Sequence, residues 1–150
     1  MVRLWATVSR LACLGTLMIA AGCATNEDRL QLADLLGEWQ VTSLQGEPPP
    51  QLPRPATLII DDQGNVGGSG GINQFRARLD TAALAEGRLV ITPGPTTLAA
   101  GPPEAMAFER RYLQTLGVVD DYARRNGTLY LFANEQPVMV LSAGGMAVDS

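Results

Sequence analysis

Chemistry in this chain has to come from a short roster of side chains. It has no histidine, and every one of its 11 basic residues is an arginine. A Ser-His-Asp triad, histidine ligation of a metal, a Schiff-base lysine and the lysine of a P-loop are therefore excluded. Thiols and carboxylates remain. The thiols are Cys13 and Cys23. The adjacent acids Asp61-Asp62 and Asp120-Asp121 read poorly as acid-base or metal pairs, because neighbouring residues of a strand point to opposite faces. Residues 61–71 also lack the alternating oxygen ligands and closing glutamate of an EF-hand. A hydrolase working with carboxylates alone would have to be built from Glu104, Glu109 or Asp80. Glu104 and Glu109 are five residues apart, which aligns them poorly on a helix. The residues give no catalytic, cofactor-binding or metal-binding assignment.

Cys23 has the most informative surroundings. Arg3 and Arg10 precede the uncharged stretch Leu11–Gly22, which ends in Ala20-Ala21-Gly22; this is the grammar of an export signal. As a helix the stretch spans about 18 Å, short of a hydrocarbon core of roughly 30 Å. Ile19-Ala20-Ala21-Gly22-Cys23 resembles the lipobox of bacterial lipoproteins, with Ala20 where leucine is commoner. The competing reading is an ordinary secretory signal followed by a coincidental cysteine. The resemblance implies a cut before Cys23 and lipid attachment at Cys23, and two or more acyl chains hold a soluble domain on a membrane. Ala24, rather than aspartate, implies sorting to the outer membrane, facing the periplasm. After such a cut nine arginines stand against fifteen acids, a formal charge of -6. An acidic chain of pI ≈ 4.7 excludes nucleic acid as a partner and is repelled by an anionic bilayer.

The rest of the chain reads as strands around one helix. Residues 23–35 form a tether or a short helix, with Leu30, Ala33 and Leu36 on a common stripe. Trp39, Val41 and Ser43 alternate with Glu38, Gln40 and Thr42 as in a half-buried strand. The proline-rich stretch 47–55 is a surface connection, with a polyproline ligand as the alternative. Ala56–Ile60 predicts a strand closed by the turn residues 61–65. The glycines of 67–71 do not make a dinucleotide fingerprint, because residues 75–79 continue as a strand rather than a helix. Phe75, Ala77 and Leu79 alternate with Gln74, Arg76 and Arg78. Arg88–Thr92 is a strand that Pro93-Gly94-Pro95 ends. Phe108, Tyr112 and Leu116 recur at helical spacing behind Pro102-Pro103, and Gly117 stops that helix. Asn126-Gly127 joins the strands Val118–Arg125 and Thr128–Phe132 as a type I′ hairpin, and Val138–Ser142 is the last strand after a turn at 134–137.

Taken together, Leu36-Gly37-Glu38-Trp39, Gly70-Gly71-Ile72-Asn73-Gln74-Phe75 and Thr96-Thr97-Leu98-Ala99-Ala100, followed by a helix, a strand, a glycine turn and Leu129-Tyr130-Leu131, resemble the META domain, the fold of the HslJ group of bacterial envelope proteins. The resemblance covers about residues 35–142. It implies an α+β fold, a mostly antiparallel, curved and barrel-like sheet with one main helix near 104–116. The division is then a signal peptide at 1–22, a tether or short helix at 23–35, a META-like domain at 36–143 and a tail at 144–150. Gly71, Asn73, Phe75 and Thr96 are its motif positions, read as structural. Ile72 and Ala100 stand where the family usually has cysteine, so a bond between those segments in relatives has no counterpart here. The family brings no catalytic residue, cofactor or metal. It implies a non-catalytic envelope domain that binds or supports an envelope protein or polymer, with a link to stress tolerance. A partner-binding inhibitor or scaffold working through a sheet edge and the carboxylate hydrolase are the alternatives.

Overall fold

A computed structural model describes residues 31–144; residues 1–30, with the signal peptide expected at 1–22 and Cys23, and residues 145–150 lie outside it. The element order is α1 (Leu32–Leu35), β1 (Gly37–Leu44), β2 (Thr57–Ile60), β3 (Asn65–Ser69), β4 (Gln74–Leu79), α2 (Thr81–Ala85), β5 (Ile91–Thr96), α3 (Pro103–Leu116), β6 (Asp121–Arg125), β7 (Thr128–Ala133) and β8 (Gln136–Ala143). The eight strands form one antiparallel sheet in the order β5-β4-β3-β2-β1-β8-β7-β6. The fold is therefore α+β, as the sequence predicts, but the sheet is open. Barrel-like therefore holds only loosely: a backbone bond from Leu89 N to Asp120 O (2.9 Å) joins the approaches to β5 and β6, and among the described residues no strand ladder closes the sheet.

Alternation builds the core. Phe75 and Leu79 are buried and Gln74, Arg76 and Arg78 are exposed along β4. In β1 the inward phase changes: Trp39 and Val41 are buried, then Leu44 replaces Ser43 as the inward residue. A bulge between Val41 and Ser43 in the pairing with β8 supplies the extra residue that flips the phase. Helix α3 seats Phe108, Tyr112 and Leu116 in the same core. Phe75 meets Tyr112 edge-on at 5.5 Å, and the Tyr112 hydroxyl donates to Thr57 O (3.0 Å). Asn126 (φ 50) and Gly127 (φ 75) have the two positive angles that a type I′ hairpin requires.

Four predicted elements differ from the structure. The strand expected over Val118–Arg125 begins only at Asp121, because the Val118 amide still closes the helix end on Thr115 O (3.1 Å). Strand β5 starts at Ile91 and runs through Pro93-Gly94-Pro95 to Thr96 instead of stopping at Thr92. It pairs only with β4, and a proline on an edge strand forfeits no ladder bond when its nitrogen faces out. The turn before β8 is the pair Asn134-Glu135, both with positive φ, so β8 already includes Pro137, beyond its last partner Met139 in the β1 ladder. In α1, Leu35 is fully buried and Leu32 partly so, while Ala33 and Leu36 are exposed. A single turn ending in extended backbone at Leu36 cannot sustain the expected stripe.

Candidate functional site

The motif residues converge where the β3–β4 turn meets α3. Asn73 Nδ2 donates to Glu109 Oε1 (2.7 Å) and to Ala99 O (3.2 Å). Its Oδ1 accepts from Thr97 Oγ1 (2.8 Å) and from Ala99 N (2.7 Å). Glu109 Oε2 accepts the backbone amides of Ile72 (3.2 Å) and Asn73 (2.6 Å). A carboxylate buried to this degree, 9% exposed, is tolerated when its lone pairs are occupied by donors. Gly71 bonds Ser69 Oγ through its amide (3.1 Å) and receives the Arg54 amide at its carbonyl (3.2 Å). Ile72 packs against the backbone of Gly101, beside Ala100. Asn73 thus locks the turn to α3 and to the loop after β5, Gly71 ties it to Ser69 and to the segment carrying Arg54, while Phe75 belongs to the core and Thr96 pairs with it across the β4–β5 ladder.

The other candidate carboxylates are dispersed. Asp80 caps α2, accepting from Ala82 N and Ala83 N; Glu104 is exposed in the first turn of α3; Glu109 is engaged as above. Asp61 accepts from Asn65 Nδ2, Asn65 N and Gln63 N, and the Asn65 bonds hold its carboxyl below the usual carboxylate range. Asp120 takes the Asn134 amide and Asp121 the Tyr122 amide. Among the described residues no group of three or more His, Cys, Asp or Glu could hold a metal.

On the other face of the cluster the sheet carries an open groove of about 550 Å³. It crosses the outer surface of β2 to β5. Gly67 lies in the centre of its floor, in register with Ile59 of β2 and Arg76 of β4. Gln74, Pro95 and Thr96 continue the lining toward the cluster. Ile59 is a large apolar side chain 44% exposed between two buried neighbours, Leu58 and Ile60. Among the described residues, neither of the two ion pairs involves Arg76, whereas Arg78 on the same face donates to Asn65 Oδ1.

Phe75 and Thr96, singled out in the sequence as structural motif positions, border this groove, whereas Ile59, Gly67 and Arg76 are not among the candidate site residues read from the sequence. The alternation of β2 carried a signal, since it puts an isoleucine on the solvent face. The two glycines of β3 look alike in the sequence and differ in space. Gly68 has φ +151, and a Cβ there would lie 2.0 Å from Thr57 O; at Gly67 a Cβ would meet only Phe75 O, at an ordinary 3.4 Å. The fold requires glycine at 68 and not at 67.

A second cleft, of about 700 Å³, runs between the proline-rich segment and α3. It is bridged by Arg111 and Glu47 (3.5 Å), so residues 47–55 lie as a connection along the helix.

The sequence profile described as META domain matches residues 30–144. No curated protein matches the chain. A solved structure, described as an NMR structure of the protein, is similar with a TM-score of 0.55 at 15% identity, over 73% of this chain and 92% of that one; the likeness is one of fold.

Proposed function

Because the chain belongs to the META domain family, we propose that it is a non-catalytic binding domain, held by lipid on Cys23 at a bacterial envelope membrane, which uses the outer-face groove to engage an envelope component and so supports envelope integrity under stress. One observation carries this reading: a lipobox-like Ile19–Cys23 segment precedes a domain whose best-formed polar cluster is committed to structure. Asn73 and Glu109 hold each other and the backbone around them, and the Glu109 carboxylate spends three accepted hydrogen bonds on these structural contacts. The groove has the opposite character, with a guanidinium, Arg76, that joins no ion pair among the described residues and an exposed apolar side chain, Ile59, around a glycine floor.

The tether sets the reach. Seven residues, 24–30, separate Cys23 from Gln31; the eight steps of chain between those two residues, at 3.3–3.6 Å each, span at most about 29 Å. A domain on so short a leash would search only the space next to its own membrane, the periplasmic face of the outer membrane in this reading. Charge repulsion from anionic headgroups keeps such a domain off the surface.

Capture through a sheet edge has less support. Edge strand β5 carries Pro93 and Pro95, which lack donors, and on edge strand β6 the Tyr122 amide is already taken by the Asp121 carboxylate at 2.7 Å.

Labelling cells with a palmitate analogue tests the anchor. Wild type is expected to incorporate the label and Cys23→Ser to lose it, together with detergent-dependent membrane association. Equal labelling of the two would remove the lipid from the reading.

A further inference from the structure

We propose that the groove over Gly67 takes the free carboxyl terminus of a peptide, with Arg76 pairing the carboxylate and the terminal side chain lying on Gly67 against Ile59. This rests on the groove being the binding face and does not depend on acylation.

Three observations converge. The first is Gly67 itself. Glycine inside a strand costs conformational entropy and marks places where something approaches the backbone closely. At Gly68 that something is the neighbouring strand, at Thr57 O; at Gly67 a Cβ would touch only Phe75 O, at 3.4 Å, among the described residues. A glycine that the fold does not need, in the middle of a groove, leaves room for an atom from outside.

The second is the pairing of walls. Register puts Ile59, Gly67 and Arg76 in one row across three strands. Neighbouring strands lie about 4.8 Å apart, so the row presents an apolar surface and a guanidinium about 10 Å apart across a bare floor. An arginine fork matches the two oxygens of a carboxylate. A ligand satisfying both walls carries an anion joined to a small apolar group, separated by a few bonds.

The third is the rim. Gln74, two residues from Arg76 on the exposed face of β4, and Thr96 of β5 also line the groove; both are neutral hydrogen-bonding residues, suited to the amide next to a terminal carboxylate. A single cation on an acidic chain does not suit a polyanion, whose binding grows with the number of phosphates neutralised. A neutral polymer offers Arg76 nothing to pair with.

The test follows backbone amide resonances of the isotope-labelled full chain in detergent micelles. The probes are acetyl-alanyl-valyl-valine as the free acid, the same peptide as its carboxamide, and octanoate. The acid is expected to move the resonances of Gly67, Arg76 and Thr96 with a Kd of about 1 mM or tighter, and the carboxamide to bind about tenfold more weakly, as loss of a charge-assisted bond requires. Arg76→Gln should bring acid and carboxamide to the same affinity. Gly67→Val should abolish binding of both while other resonances stay in place, and Gly67→Ala, a smaller change, should weaken it. Equal affinity of acid and carboxamide in wild type, or wild-type affinity in Gly67→Val, would overturn the proposal. Groove shifts with octanoate and with neither peptide would overturn the peptide while leaving the groove as a binding face. Absence of groove shifts with all three probes at about 10 mM would overturn the site as a whole. None of these outcomes touches the labelling of Cys23.

Discussion

Asn73 commits both atoms of its side-chain amide to neighbours on two other elements, and its main-chain amide to a third contact at Glu109. A single asparagine thereby fixes the β3–β4 turn, the start of the loop after β5 and the middle of α3. Removing it leaves Glu109 Oε1 and Ala99 N without these partners. Neutral hydrogen bonds contribute about 1 kcal/mol net and those to charged groups roughly 1.5–3 kcal/mol. Asn73→Ala is accordingly expected to destabilise the chain by about 2–4 kcal/mol, read as a lower urea midpoint at unchanged slope. Asn73→Asp should cost more near neutral pH, because it sets a second carboxylate against Glu109 in a poorly solvated place. A loss under about 1 kcal/mol for the alanine variant would mean that the loop is held by other contacts.

Among the elements, β5 separates what the sequence discloses from what only the fold decides. Strand β4 is legible because its alternation, with Phe75 and Leu79 in and Arg76 and Arg78 out, is a local property that burial of one face imposes. Helix α3 is legible for the same reason at its own period, and the hairpin at Asn126-Gly127 because the turn's backbone angles demand those residues. Whether prolines end a strand depends on the neighbour at the other side, and the residues around Pro93 carry no information about that. Helix α2 escapes notice because five residues are too few for a period, although Asp80 is an ordinary cap. The candidate site divides similarly: the motif around Asn73 can be read from residue order, while Gly67 becomes distinct from Gly68 only once Thr57 is beside it. The prolines also carry a consequence at this scale. An unprotected edge pairs with other chains, so replacing Pro93 and Pro95 together by valine should leave the monomer's stability nearly unchanged and promote self-association, visible by light scattering on a size-exclusion column. A variant that stays monomeric at high concentration would show that the edge is shielded by other means.

At the scale of the whole molecule two buried phenols fasten the sheet to its flanking segments. Tyr112 ties α3 to β2 through Thr57 O. Tyr122 ties β6 to the chain entering the domain: its hydroxyl accepts from Gln31 N and donates toward Gln31 O, both at 2.7 Å, with the Asp34 carboxylate at 3.2 Å. Arg124, 5.3 Å above the Trp39 ring, and the bond from Trp39 Nε1 to Leu35 O (2.8 Å) complete that end. Burial pushes both phenols up, Tyr122 to about 12 and Tyr112 further, against about 10 in an unfolded chain. Between those values the folded chain keeps protons that the unfolded chain has released, so stability is complete below about pH 10 and falls as pH rises toward 12. Tyr122→Phe removes one of the two contributions together with the bonds to Gln31. The variant should be clearly less stable than wild type near pH 8, and the gap should narrow steadily between about pH 10 and 12 as the wild-type phenol loses its advantage. Urea melts across that range read both features. A gap that stayed constant with pH would mean that the Tyr122 proton is no better held in the folded chain than in the unfolded one, and the clasp on Gln31 would then contribute by packing alone.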